Sequence, residues 1–150
     1  MEILEVGEKL LEKEYEFREN AFGIVDLNNG QMMLVYTEKD RNHSLPGGGV
    51  EPGESPLEAI KREFVEEAGY KVKNAEEIVQ AHCYWNWRNN LKFLERFTHI
   101  FVVELDETSK TVPLEDWHTR VFVDYEDVIN LIPFPYQKAG LKYYFEKYKH

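Results

Sequence analysis

The stretch Leu45 to Val72, LPGGGVEPGESPLEAIKREFVEEAGYKV, decides how the rest of the chain is read. It concentrates glycines, prolines and carboxylates in an order that core packing alone does not require, and it reads as loop, helix, loop. Ser55 suits an N-cap, Pro56 the first helical position and Glu58 the third residue of a capping box. Gly69 supplies the stop, because a residue without Cβ takes the left-handed conformation that closes a helix. The spacing predicts a helix of about four turns. Leu57, Ile60, Phe64 and Ala68 recur at three and four residues and form one apolar stripe for the core. At about 100° per residue, Glu63, Glu66 and Glu67 fall together on a second face. Like charges one turn apart cost a helix a few tenths of a kcal/mol per pair. The face is either solvated or neutralised by a hard divalent cation such as Mg²⁺, which prefers oxygen ligands and bridges carboxylates to substrate phosphates. Gly47, Gly48 and Gly49, with Glu54 just ahead of the cap, supply a loop whose backbone can approach metal or phosphate closely.

These residues resemble the Nudix hydrolase box, G-x5-E-x7-R-E-U-x-E-E-x-G-U, with U an apolar residue. Gly48, Glu54, Arg62, Glu63, Glu66, Glu67 and Gly69 fill every fixed position, and Phe64 and Tyr70 take the two U positions, where aliphatic residues are more usual. At ordinary residue frequencies such a set of identities coincides by chance roughly once in 10⁸ windows. The resemblance implies an α+β fold, an α/β/α sandwich in which a mixed β-sheet holds the box as loop-helix-loop and a C-terminal helix follows. It implies Mg²⁺ as cofactor, with Mn²⁺ as substitute, held by Glu63, Glu66, Glu67 and the Gly47 carbonyl, while Arg62 orients the carboxylates and Glu54 is more peripheral. A loop glutamate ahead of a strand-then-helix element often completes the metal site or serves as base in the family. Glu115 matches that position best, with Glu104 as the alternative, so the expected base is either Glu63 or Glu115. Two features depart from the family: His43 stands where many relatives carry Trp, and no substrate-class motif follows the box.

The whole chain sets the outer bounds. Its 150 residues suit one domain, spanning 1–150, and the 43% hydrophobic and 14% aromatic content is globular. No apolar run approaches bilayer length, and the start lacks a basic region followed by a long apolar one, so a cytoplasmic protein with no membrane partner is expected. The single Cys83 cannot form an internal disulfide and, among apolar and aromatic neighbours, reads as a buried structural thiol. A net charge of −10 disfavours a nucleic-acid partner, whose phosphates it would repel. A small anionic nucleotide remains compatible, because bound divalent ions invert the local field.

In chain order, Glu2 to Leu11 reads as a short edge strand or a brief helix. Tyr15 to Leu27 and Gln31 to Thr37 are strands joined by the hairpin signal Asn28-Asn29-Gly30. Arg41 and His43 sit on the approach to the box as candidate phosphate contacts or solvated loop residues. Glu77 to Trp87 and Lys92 to Glu104 form a second hairpin turning at Arg88-Asn89-Asn90. Tyr84, Trp85 and Trp87 either stack on a nucleobase or divide between the core and the last helix. Arg120 to Val123 is a short strand and Asp127 to Leu131 a helix. Pro133 and Pro135 precede a terminal helix, Tyr136 to Tyr148, whose Ala139, Leu141, Tyr144, Phe145 and Tyr148 cover the sheet or a twin subunit in a homodimer.

The implied reaction is hydrolysis of a diphosphate linkage in a nucleoside diphosphate derivative, a nucleoside triphosphate first, oxidised purines included. ADP-ribose, nucleotide sugars and dinucleoside polyphosphates are the alternatives. A non-catalytic nucleotide-binding sensor is the reading from another class.

Overall fold

The computed structural model describes residues 1–87, 92–115 and 117–149. The turn expected at Arg88-Asn89-Asn90 lies outside the described residues, as does Asp116. In chain order the elements are β1 (Ile3–Val6), β2 (Glu16–Asp26), β3 (Gln31–Thr37), β4 (Asn42–Ser44) and β5 (Gly47–Gly49). There follow α1 (Pro56–Glu63), a π-helical turn (Phe64–Ala68), β6 (Val72–Trp87), β7 (Lys92–Leu105), a 3₁₀ turn (Glu107–Ser109), β8 (His118–Asp124), α2 (Tyr125–Leu131) and α3 (Pro135–Tyr148). The first segment, open in sequence, is a strand.

The sheet is mixed. β1 runs parallel to β6, β6 antiparallel to β7, and β7 parallel to β2, which also pairs antiparallel with β5. The hairpin between β2 and β3 is short, with Val25 opposite Met33 and Asp26 opposite Met32; beyond it β3 carries β4 and β8 on its two sides. β2 spends most of its length on β7 and β5, so the turn at Asn28 joins two parts of the sheet that diverge.

Side-chain alternation along the strands divides the core in two. On one face Ala21, Val25, Met33, Phe101 and Val103 pack against Ala59, Ile60, Phe64 and Ala68 of the box helix. On the other, Phe22, Ile24, Met32, Leu34 and Ile100 pack under Val128, Leu141 and Tyr144 of α2 and α3. These are the three layers of the sandwich. Cys83 belongs to the second cluster, fully buried, and burial pushes its thiol up to about 11. Among the described residues no helix is long and apolar enough to cross a membrane.

Two members of the expected apolar faces are displaced. Leu57 is 39% exposed, and Ala59 takes the buried place in the first turn of α1. On α3 the covered residues are Tyr136, Gln137, Gly140, Leu141 and Tyr144, whereas Tyr148 is half exposed. The helix lies on β6 and β7, and Lys149 just past its end donates to Asn28 Oδ1 at 3.1 Å beside the β2–β3 turn. Gln137, buried and polar, accepts the Leu45 N–H at 2.8 Å and donates to Ser44 Oγ at 3.0 Å. In this way α3 fixes the loop that precedes the box. Asp26 does the same for the hairpin, accepting from Tyr125, from Tyr144 at 2.7 Å and from the Asn28 N–H at 2.8 Å.

Candidate active site

The box helix starts as its sequence dictates. Ser55 Oγ accepts the Glu58 N–H at 3.1 Å and Glu58 Oε1 accepts the Ser55 N–H at 3.1 Å, so both halves of the capping box are present. Its second half departs from a plain α-helix: Phe64–Ala68 widens into a π turn before Gly69 closes it at φ 72°. Such turns are uncommon and often lie at functional sites.

A helix end leaves carbonyls without partners. Here the segment between β7 and β8, with Arg120 of β8, satisfies them. The Glu66 carbonyl accepts the Glu115 N–H at 3.0 Å, the Ala68 carbonyl accepts Arg120 Nη1 at 2.9 Å, and the Gly69 carbonyl accepts the Thr111 N–H at 2.8 Å. Those bonds carry Glu115 and His118 to the acidic face of the box helix. One ligand oxygen each from Glu63, Glu66 and Glu115 then lies within 4.8 Å of the others; so do atoms of Glu67, Glu115 and His118. Glu104, the alternative loop acid, sits elsewhere, accepting from Asn74 at 2.7 Å.

Arg62 organises the carboxylates. It donates to both oxygens of Glu54, at 2.8 and 3.0 Å, to Glu63 Oε1 at 2.9 Å, to Glu66 Oε2 at 3.2 Å and to the Gly49 carbonyl at 2.9 Å. A planar guanidinium is suited to such forked contacts. Its hydrogen bonds hold the Glu54 carboxyl down at about 2. Glu54 is therefore the anchor of Arg62, a closer part than its peripheral place in the box implies.

Glu63 and Glu67 are under the opposite pressure. Burial, against the relief from Arg62 and with the charges of Glu66 and Glu115 adding to it, pushes Glu63 up to about 7. Burial and the neighbouring Glu63 charge raise Glu67 well above the usual carboxylate range, although its Oε1 accepts the Gly47 N–H at 3.1 Å. Buried acids that resist ionisation for want of countercharge, with converging oxygens, fit a hard divalent cation. Gly48 makes room for them: a Cβ there would stand 2.6 Å from Glu63 Oε1.

His118, missed in the sequence, lies with Nε2 3.7 Å from Glu67 and Nδ1 3.3 Å from Glu115. Burial lowers its pKa against the raising pull of Glu115 and Asp40. The Glu115-x-x-His118 spacing was the available signal.

The aromatic run splits. Trp85 and Trp87 share one side of β6, ring centroids 4.6 Å apart, with Phe134 5.8 Å from Trp85 and Tyr136 6.1 Å from it. They line a cavity of about 460 Å³ with Arg18, Asp40 and Arg96. Tyr84 points to the opposite side, where it meets Tyr15 and His82. A second cleft, of about 640 Å³, runs from Glu63 and Glu54 past the Gly49–Gly53 loop to Arg18, which it shares with the aromatic cavity. Arg41 stands exposed on the turn between β3 and β4, in the left-handed conformation at φ 56°, and lines neither cavity.

A family model described as NUDIX domain matches residues 17–145. A Bacillus subtilis (strain 168) protein provisionally named 8-oxo-dGTP diphosphatase is 44% identical over 63 residues, 41% of this chain and 42% of that one. An RNA pyrophosphohydrolase of Pectobacterium atrosepticum is 31% identical over 71 residues, 47% of this chain and 38% of the relative. The chain thus spans less than half the length of either relative. Among solved structures, a NUDIX hydrolase from Nitrosomonas europaea superposes with a TM-score of 0.64 at 19% identity, covering 87% of this chain and 90% of that one. A MutT protein from Bacillus halodurans gives 0.63 at 24% identity, covering 83% and 80%. At these identities the structures speak for the fold.

Proposed function

Because this chain belongs to the Nudix family, we propose that it is a Mg²⁺-dependent pyrophosphohydrolase acting on a nucleoside diphosphate derivative, a nucleoside triphosphate first. The observation that carries the reading is the convergence of Glu63, Glu66 and Glu115, with one oxygen of each within 4.8 Å of the others, beside the Arg62 clamp. These three with Glu67, and the Gly47 carbonyl, are the groups that would hold the ion. When bound, Mg²⁺ supplies neutralisation of the diphosphate oxygens and acidification of a water. Arg62 keeps the carboxylates in register.

In the reaction a water oxygen bonds to one phosphorus, the bridging P–O bond breaks, and the water's proton passes to a carboxylate. From a triphosphate this gives a nucleoside monophosphate and inorganic pyrophosphate. The acceptor is Glu63 or Glu115, the carboxylates that reach the cluster from the box helix and from the segment between β7 and β8. The aromatic cavity of Trp85 and Trp87 supports a base-stacking role, with Arg18 between the rings and the acidic cleft to meet phosphate oxygens. The named activity of the Bacillus relative, on an oxidised purine triphosphate, agrees with a pocket of this kind.

RNA 5′ ends are a second reading, raised by the name of the Pectobacterium relative. The net charge of −10 opposes it, since an RNA strand needs a basic track. The deciding assay is phosphate and pyrophosphate release from nucleoside triphosphates, oxidised purine triphosphates, ADP-ribose, dinucleoside polyphosphates and triphosphorylated RNA, with Mg²⁺ and with chelator. Metal-dependent turnover of a triphosphate that Glu67→Gln impairs at limiting Mg²⁺ is expected. Binding without turnover across the whole panel would leave a sensor in place of an enzyme.

A further inference from the structure

The carboxylates around Arg62 do not account for His118. Its side chain is only 8% exposed, and Nδ1 is fully buried with no hydrogen-bond partner. Glu115 Oε1 lies 3.3 Å from that nitrogen, outside hydrogen-bonding geometry, and Glu67 Oε2 lies 3.7 Å from Nε2. A buried nitrogen without a partner costs stability. Its placement between two carboxylates points to a third party that all three groups would bind.

We propose that Glu67, Glu115 and His118 form a second divalent-cation position beside the all-oxygen one, and that the imidazole gives it a preference for transition-metal ions over Mg²⁺. One donor atom from each residue already lies within 4.8 Å of the other two. Donors about 2.0–2.2 Å from an ion stand about 3 Å apart when adjacent, so closing the triad on a cation takes side-chain shifts of about 1 Å. Mg²⁺ prefers oxygen and gives up its waters reluctantly, whereas a site with one imidazole gains affinity along the series from Mn²⁺ to Co²⁺ and beyond. The all-oxygen position of Glu63 and Glu66 has no such nitrogen. Glu115 is common to both groups, and Glu67 is also among the residues that would hold Mg²⁺, so an ion at one place bears on the other.

This inference rests on reading the acidic cluster as a metal site and not on hydrolysis, so the test is a binding experiment. Metal-free protein is titrated with Co²⁺ and, separately, with Mg²⁺, by calorimetry, for wild type, His118→Gln and Glu63→Gln. His118→Gln should weaken Co²⁺ binding at least about tenfold while Mg²⁺ affinity moves less than about twofold. Glu63→Gln should weaken Mg²⁺ more than Co²⁺. Equal losses for both ions in His118→Gln, or an unchanged Co²⁺ affinity, would overturn the assignment. If His118→Gln does not fold, the wild-type protein still answers: proton NMR with Co²⁺ should show a paramagnetically shifted imidazole N–H, and its absence at saturating Co²⁺ refutes the site. Failure of the hydrolysis assay with success here would remove the enzyme and keep the metal position.

Discussion

The backbone N–H of Glu115 donates to the carbonyl of Glu66 across 3.0 Å, which pins the segment between β7 and β8 to the widened end of the box helix. The bond belongs to the backbone, so the side chain of Glu115 is free to serve the cluster without holding the fold. Glu115→Gln should therefore leave the melting temperature within about 2 °C while weakening Mg²⁺ about tenfold or more. Calorimetric metal titration beside thermal denaturation checks it; equal damage to both would mean a structural side chain.

Arg62 and Glu54 share a forked pair of bonds, 2.8 and 3.0 Å long, in a partly buried setting. Lysine keeps the charge but loses the fork. Arg62→Lys is expected to cost about 2 kcal/mol of stability and to lower turnover tenfold or more, with Glu54→Gln milder because one acceptor survives. Chemical denaturation and steady-state kinetics on the two variants decide whether the clamp acts as described.

Glu63 and Glu67 both hold their proton more tightly folded than unfolded. Without metal, the stability they contribute is fully present below the ordinary carboxylate value of 4.5; for Glu63 it is lost as pH rises through about 7, and Glu67 acts in the same direction. For Glu63 alone the loss is on the order of 3 kcal/mol. Metal-free protein should melt lower at pH 8 than at pH 5, and Mg²⁺ should raise the melting temperature more at pH 8, where binding displaces fewer protons. A metal-free melting temperature that climbs across that window contradicts the assignment.

Gly48 and Gly47 are neighbours with different duties. A Cβ on Gly48 meets only the far end of Glu63, whereas on Gly47, at φ 151°, it would meet the Ala21 carbonyl oxygen at 2.1 Å. Gly48→Ala should displace the Glu63 carboxylate and cut Mg²⁺ affinity with little change in stability. Gly47→Ala should destabilise the fold by up to ~3 kcal/mol. Paired denaturation and metal titration separate the two.

Trp85 and Tyr84 are adjacent in sequence and opposite in space. If a base stacks in the cavity of Trp85, Trp85→Ala raises KM about tenfold or more, since such a stack is worth about 1–3 kcal/mol. Tyr84→Ala should leave KM within about twofold. The same KM change in both variants would argue for general loosening of β6.

What the sequence determined by itself is local. The capping box at Ser55, the stop at Gly69 and the common face of Glu63, Glu66 and Glu67 follow from spacings within one helix, and each is read from neighbours only a few residues apart. Strand alternation likewise marked the long hairpin of β6 and β7. What tertiary structure decided depends on partners far along the chain. Orphan carbonyls at the end of the box helix recruit Thr111, Glu115 and Arg120, and these bonds together with the pairing of β8 on β3 bring His118 to the carboxylates. Periodicity put Leu57 and Tyr148 on apolar faces, yet both stay exposed in the fold. Period-two geometry sent Tyr84 away from Trp85, and only the docking of Phe134 and Tyr136 onto β6 decided which side would hold a cavity. Spacing along one element fixes which side chains share a face, but what meets that face is set by long-range hydrogen bonds and packing that no window of sequence contains.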